Sequence, residues 1–119
     1  MTPQRDLLQL NYAVITGVIK RRKGINMTRS GIPVLHLLVE NTVDSYTGSG
    51  ESSVSEIQVD VWGKLAVALD VKLSEGDSVL VEGRLSHKKK EDSAGGEHFQ
   101  TVLKARRIEL LVNRKERKE

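Results

Sequence analysis

The side chains able to do chemistry in this sequence are mainly cations, and they come in runs. Lys20-Arg21-Arg22-Lys23, Lys88-Lys89-Lys90 and Arg106-Arg107 are three of them, and Asn113–Glu119 adds four bases against two acids. Any one run alone reads as a solvated strand end or loop. Taken together they point to a polyanionic partner. Flat aromatic faces are scarce: Tyr12, Tyr46, Trp62 and Phe99 are all there are.

Catalytic and metal chemistry find no matching pattern. There are no cysteines, which excludes disulfides, thiol nucleophiles and thiolate zinc sites. The three histidines, His36, His87 and His98, never fall three or four residues apart. No Ser-His-Asp arrangement or phosphate-cradling glycine loop is present, and Gly95-Gly96 reads as a loop tip. Glu91-Asp92, inside a lysine-rich stretch, is too little for the carboxylate cluster of a nuclease. We therefore expect no enzyme activity, no metal and no cofactor.

The elements that must carry these side chains are mostly strands. Asn11–Lys20 alternates with β-branched residues, and Gly17 marks a bend or bulge where no side chain is tolerated. Met27–Gly31 reads as a turn. Pro33–Asn41 is a second strand, apolar enough to be covered on both faces, with Pro33 at its first position, where the missing N–H does least harm. Thr42–Ser53 reads as a long polar hairpin loop.

Ser55–Val61 alternates cleanly, with Ile57, Val59 and Val61 on the core side and Gln58 and Asp60 opposite. Lys64–Leu73 changes period: Leu65, Leu69 and Leu73 form one stripe of a short helix. Val79–Leu85 is the fourth strand and Lys88–Glu97 reads as a second loop. Phe99–Leu111 is the fifth strand, with its alternation broken at Ala105–Arg107 by a bulge or strong coil.

The 119 residues suit one domain, residues 1–112, followed by a basic tail, residues 113–119, expected to be disordered. No apolar run approaches the ~20 residues of a membrane span. The opening MTPQRDLL lacks the features of a secretory signal, so a cytoplasmic, nucleoid-associated location is expected. Five strands with one short helix between the third and fourth predict an all-β OB-fold, a five-stranded Greek-key barrel. That fold hosts sugar, protein and nucleic-acid binding alike.

Four segments carry a more specific resemblance. Asn11–Gly17 (NYAVITG), Ser30–Pro33 (SGIP), Val61–Ala66 (VWGKLA) and Gly76–Leu85 (GDSVLVEGRL) are similar, in order and spacing, to the bacterial single-stranded DNA-binding protein family. SGIP and the ending ARRIELL also resemble the primosomal replication protein N group. The resemblance implies single-stranded DNA binding without marked sequence preference, in replication, repair or recombination, or in replication restart for the second group. It also implies assembly as a homodimer or homotetramer, helped by the unpaired edge of an open barrel. RNA fits the same chemistry, since nothing here reads a 2′-hydroxyl. An interaction module that docks on a protein through an apolar edge is the alternative from a different class.

Binding a single strand takes cations for phosphates and flat surfaces for bases. With so few aromatics, phosphate contacts from basic loops must contribute most of the affinity. The expected nucleic-acid-binding residues are Trp62, Tyr46, Lys20, Arg22, Arg84, Lys88, Lys89, Lys90, Lys104 and Arg106. Trp62 shares the parity of Gln58 and Asp60, which puts its indole on the open sheet; the alternative is a lid folded over the helix. Arg84 shares a face with Leu80, Glu82 and Ser86. Phe99 and Tyr12 read as core or barrel-end residues, and His36 as a satisfied histidine. Glu56 and Lys90 stand where the resemblance leads one to look for further tryptophans. The ending NRKERKE has the opposite sign to the family's acidic recruitment tip, so docking of repair enzymes by that route is not expected.

Overall fold

A computed structural model describes residues 8–45, 48 and 50–115. Tyr46 and residues 116–119 of the basic tail lie outside the described residues. The elements run β1 (Ala13–Met27), β2 (Pro33–Asp44), β3 (Ser52–Trp62), α1 (Lys64–Asp70), β4 (Ser78–Glu91) and β5 (Glu97–Val112).

Alternation decides what the barrel encloses. Leu35, Leu37 and Val39 of β2, Val59 and Val61 of β3, and Val79 and Val81 of β4 all point inward and are fully buried. Ile19, Leu103 and Ile108 complete the wall, and Ala66, Leu69 and Leu73 pack against it from the helix and the turn after it. The helix ends at Asp70, one turn earlier than its leucine stripe suggests. Leu73 keeps its place because its N–H donates to the Leu69 carbonyl at 3.0 Å.

The strands close in the order β1-β2-β3-β5-β4, with β3 and β5 parallel and the other pairs antiparallel. This closed barrel with its helix between β3 and β4 is an OB-fold. Closure corrects one expectation: no open barrel edge is left, because β1 pairs with both β2 and β4. The transfer occurs at Gly17, where a Cβ would meet the Glu40 carbonyl oxygen at 2.4 Å. Only glycine lets the two backbones approach so closely.

The strands run further than the sequence suggests. β1 continues through the basic run to Met27, and β4 and β5 extend as a hairpin to Glu91 and Glu97. A lysine-rich, polar composition looks like a loop, but each residue finds a ladder partner, from Lys88↔Gln100 to Glu91↔Glu97. The remaining turn is organised by Asp92, whose Oδ1 accepts the N–H groups of Ala94 at 3.0 Å and Gly96 at 2.7 Å. The expected break at Ala105–Arg107 is a bulge: Gly83 faces Ala105 and Glu82 faces Arg107, leaving Arg106 as the extra residue.

Candidate nucleic-acid interface

Residues directly opposite in a ladder share a face, so the register lays out the outer surface of β2 and β3. It runs Glu40–Glu56, Leu38–Gln58, His36–Asp60 and Val34–Trp62. Against its β1 side stand Arg21, opposite Leu38, and Lys23, opposite His36. Against its other side β5 places Lys104 beside Asp60. The same face of β4 carries Arg84, opposite Lys104, then Lys88, opposite Gln100.

A depression of about 340 Å³ follows from this layout, lined by Arg21, Arg22, Lys23, Lys88 and Lys90 with His36, Leu38, Gln58 and Gln100, and by no acid. A second, of about 390 Å³, is lined by Arg84, Lys104 and Arg106 with Asn11 and Tyr12. Trp62 stands on the same outer face at the end of β3, 38% exposed, with the Lys104 ammonium 5.0 Å from its ring centroid. That is cation–π distance. A cationic trough with one indole at its side has the two surfaces a nucleic-acid strand requires.

The ten expected residues are not all equivalent in space. Trp62, Arg84, Lys88, Lys90 and Lys104 come together on this face. Lys20 lies at its far end, ion-paired with Glu56 and 3.8 Å from Glu40. That pairing pushes the Lys20 ammonium above the ordinary lysine range and Glu56 below the ordinary carboxylate range.

Arg22 turns inward. Its guanidinium pairs with Asp70 and donates to the Asp70 carbonyl at 2.7 Å and to the Leu73 carbonyl, tying β1 to the end of α1. Lys89 points away from Lys88 and Lys90 and pairs with Glu97 at 3.0 Å. Arg106 shares Glu82 with Arg107, at 3.1 and 3.0 Å.

Arg21 and Lys23 are the cations that parity reasoning misses. The register slips between Ile19 and Arg21, with Lys20 as the extra residue. Ile19 and Arg22 therefore both face inward, three residues apart, and Arg21 and Lys23 take the outer phase. A bulge inside a run of four bases leaves no hydrophobic signal. Counting back from Leu37 and Val39 across the ladder is the only route to it.

Phe99 and Tyr12 are not core residues: they are 67% and 60% exposed. Phe99 leans on the His87 ring, centroids 6.1 Å apart, and the Tyr12 hydroxyl donates to Glu82 at 2.6 Å. His36 is satisfied, its Nδ1 lying 2.8 Å from Asp60 Oδ1. Among the described residues no group of three or more His, Asp or Glu is placed to hold a metal ion. Among the described residues no helix is long and apolar enough to cross a membrane.

Fold and face together define an OB-fold protein with a cationic trough on the outer face of its barrel. The single-strand binding protein family matches residues 10–111. The chain is also 32% identical over 101 residues to the single-stranded DNA-binding protein of Thermus aquaticus, across 84% of this chain and 37% of that protein. The chain therefore belongs to the single-strand binding protein family.

Proposed function

We propose that this chain binds single-stranded DNA without marked sequence preference, as a non-enzymatic participant in replication, repair or recombination in the cytoplasm, at the nucleoid. The observation that carries this reading is the gathering of Arg21, Lys23, Arg84, Lys88, Lys90 and Lys104 on one face of the barrel, beside a half-exposed tryptophan. Phosphates lie along the basic strands, which replace the basic loops expected from sequence. One base stacks on Trp62, and Lys104 then moves from the ring to a phosphate.

The trough is open along its length and so admits an extended single strand whose bases are unpaired. Affinity rests on released counterions more than on stacking, because one indole serves the described face. Assembly into a homodimer or homotetramer is part of the same reading. The exposed side chains of Val14 on β1 and of Leu111 and Val112 on β5 supply apolar surface for a second copy.

Anisotropy with labelled oligothymidylate, with unlabelled single strand and duplex as competitors, tests the reading. Binding displaced by single strand and poorly by duplex is the expected result. Equal displacement by both would point to a general polyanion binder.

A further inference from the structure

The cationic face does not continue along every strand that builds it. The residues of β2 and β3 that line the first depression reach Leu38 and Gln58 and no further. The next pair on that face, about 7 Å along the strands, sets Glu40 directly opposite Glu56. Like charges so placed repel, and Lys20 answers both: it pairs with Glu56 and stands 3.8 Å from Glu40. Two carboxylates against one ammonium leave this rung of the ladder net negative.

The sign stays reversed beyond it. From Asn41 to Ser55 the sequence holds two acids, Asp44 and Glu51, and no lysine, arginine or histidine. Its strand parts form the far end of the β2–β3 ladder, where Thr42 faces Val54 and Asp44 faces Ser52. The β4–β5 hairpin is the opposite case. Lys88 faces Gln100 and Lys90 faces His98, and both lysines line the depression. Two hairpins thus leave the trough, one basic and one acidic.

The three side chains of the rung are well exposed, Lys20 at 42%, Glu40 at 39% and Glu56 at 46%. None belongs to the core, so the rung acts on what approaches the face. We infer that Glu40, Lys20 and Glu56 mark the end of the binding track: they turn a bound strand away from the β2–β3 hairpin, toward Lys88 and Lys90, and keep Lys20 from the phosphates. This rests on the single-strand reading above. A phosphate entering the rung meets its negative field within a Debye length, about 10 Å at 0.1 M salt. Over the β4–β5 hairpin the same phosphate meets ammonium groups. The rung therefore limits both the number of phosphates held and the length of strand covered.

The test is anisotropy with labelled oligothymidylates of increasing length, across a series of salt concentrations. It uses the full chain, Glu56→Gln, the double variant Glu40→Gln/Glu56→Gln, and that double variant with Lys20→Gln added. Glu97→Gln removes the acid paired with Lys89 on the opposite face and controls for net charge alone. Each acid removed from the rung should tighten binding about threefold at low salt, what a unit charge ~7 Å from a phosphate is worth in water. The double variant should also steepen the salt slope by about 0.7, as Lys20 gains a phosphate, and should lengthen the oligomer at which affinity levels off. Adding Lys20→Gln should return the slope to the wild-type value.

An unchanged slope and length in the double variant overturns the proposal. So does a steeper slope that survives Lys20→Gln, or an equal gain from Glu97→Gln and Glu56→Gln. Where the double variant fails to fold, the comparison of those two single variants decides. Absence of wild-type binding at low salt would instead overturn the single-strand reading beneath it.

Discussion

Two residues concentrate the physical chemistry of this face, one a buried acid and one an aromatic. Asp60 is held ionised against its own burial by His36, Gln58 and Lys88. A carboxylate whose folded value is depressed contributes stability that is complete above the ordinary range, about pH 4, and is lost as pH falls through the folded value. Glu82 follows the same sign, lowered by the Tyr12 hydroxyl and by Arg107 and Arg106 against a smaller burial cost. Urea unfolding from pH 7 downward should therefore show a steep loss of stability below about pH 4. Asp60→Asn should cost roughly 1–3 kcal/mol at pH 7 and flatten that loss; an acid limb identical to wild type would mean that Asp60 is not the group responsible. For Trp62→Ala, single-strand affinity should fall by ~1–3 kcal/mol, the range for one stacked base. An unchanged affinity by anisotropy would make the indole a mere neighbour of Lys104.

At the scale of elements, the glycines and bulges of the strands aim the cations. At Gly83 a Cβ would stand 2.0 Å from the Lys104 carbonyl oxygen, and at Gly17 one would stand 2.4 Å from that of Glu40. Gly17→Ala and Gly83→Ala should each cost ~1–3 kcal/mol in denaturant unfolding, whereas Gly24, with open space around it, should tolerate alanine. Equal midpoints for all three would contradict the close approaches. The bulge at Lys20 makes a sharper prediction about function. Arg21→Gln should weaken single-strand binding and reduce the salt slope by about 0.7, while Lys89→Gln, on the opposite face and paired with Glu97, should do neither.

Much of this is legible in the sequence, and what is not has a physical cause. The inward alternation of Ile57, Val59 and Val61 and of Val79, Val81 and Gly83 is readable because apolar side chains report which face is buried. The break at Ala105–Arg107 is readable for the same reason, as is the outward parity that places Trp62 with Gln58 and Asp60. Polar strands carry no such report. Lys88–Glu91 and Arg21–Met27 look like loop, and a one-residue slip among four bases exchanges Arg22 for its neighbours unseen. Nor does composition show that Asp60 orients Gln58 and His36, since that depends on cross-strand register.

For the molecule as a whole, sign and distribution of charge matter more than net charge. The formal balance is only +3, yet the two depressions are lined by bases and by no acid. The acids are placed elsewhere or tied up: Glu56 on Lys20, Asp70 on Arg22, Glu82 on Arg106 and Arg107. A nearly neutral barrel thus presents one strongly cationic face, and its binding should be dominated by counterion release.

Trp62 is the only tryptophan in the chain, so its fluorescence reports binding at a known point on that face. Titration with unlabelled oligothymidylate across a series of salt concentrations is the most direct measurement. The account predicts quenching on binding and a slope of log K against log salt of about −4, as six cations neutralise phosphates at ~0.7 each. Absence of binding at low salt, in fluorescence and in anisotropy alike, would contradict it.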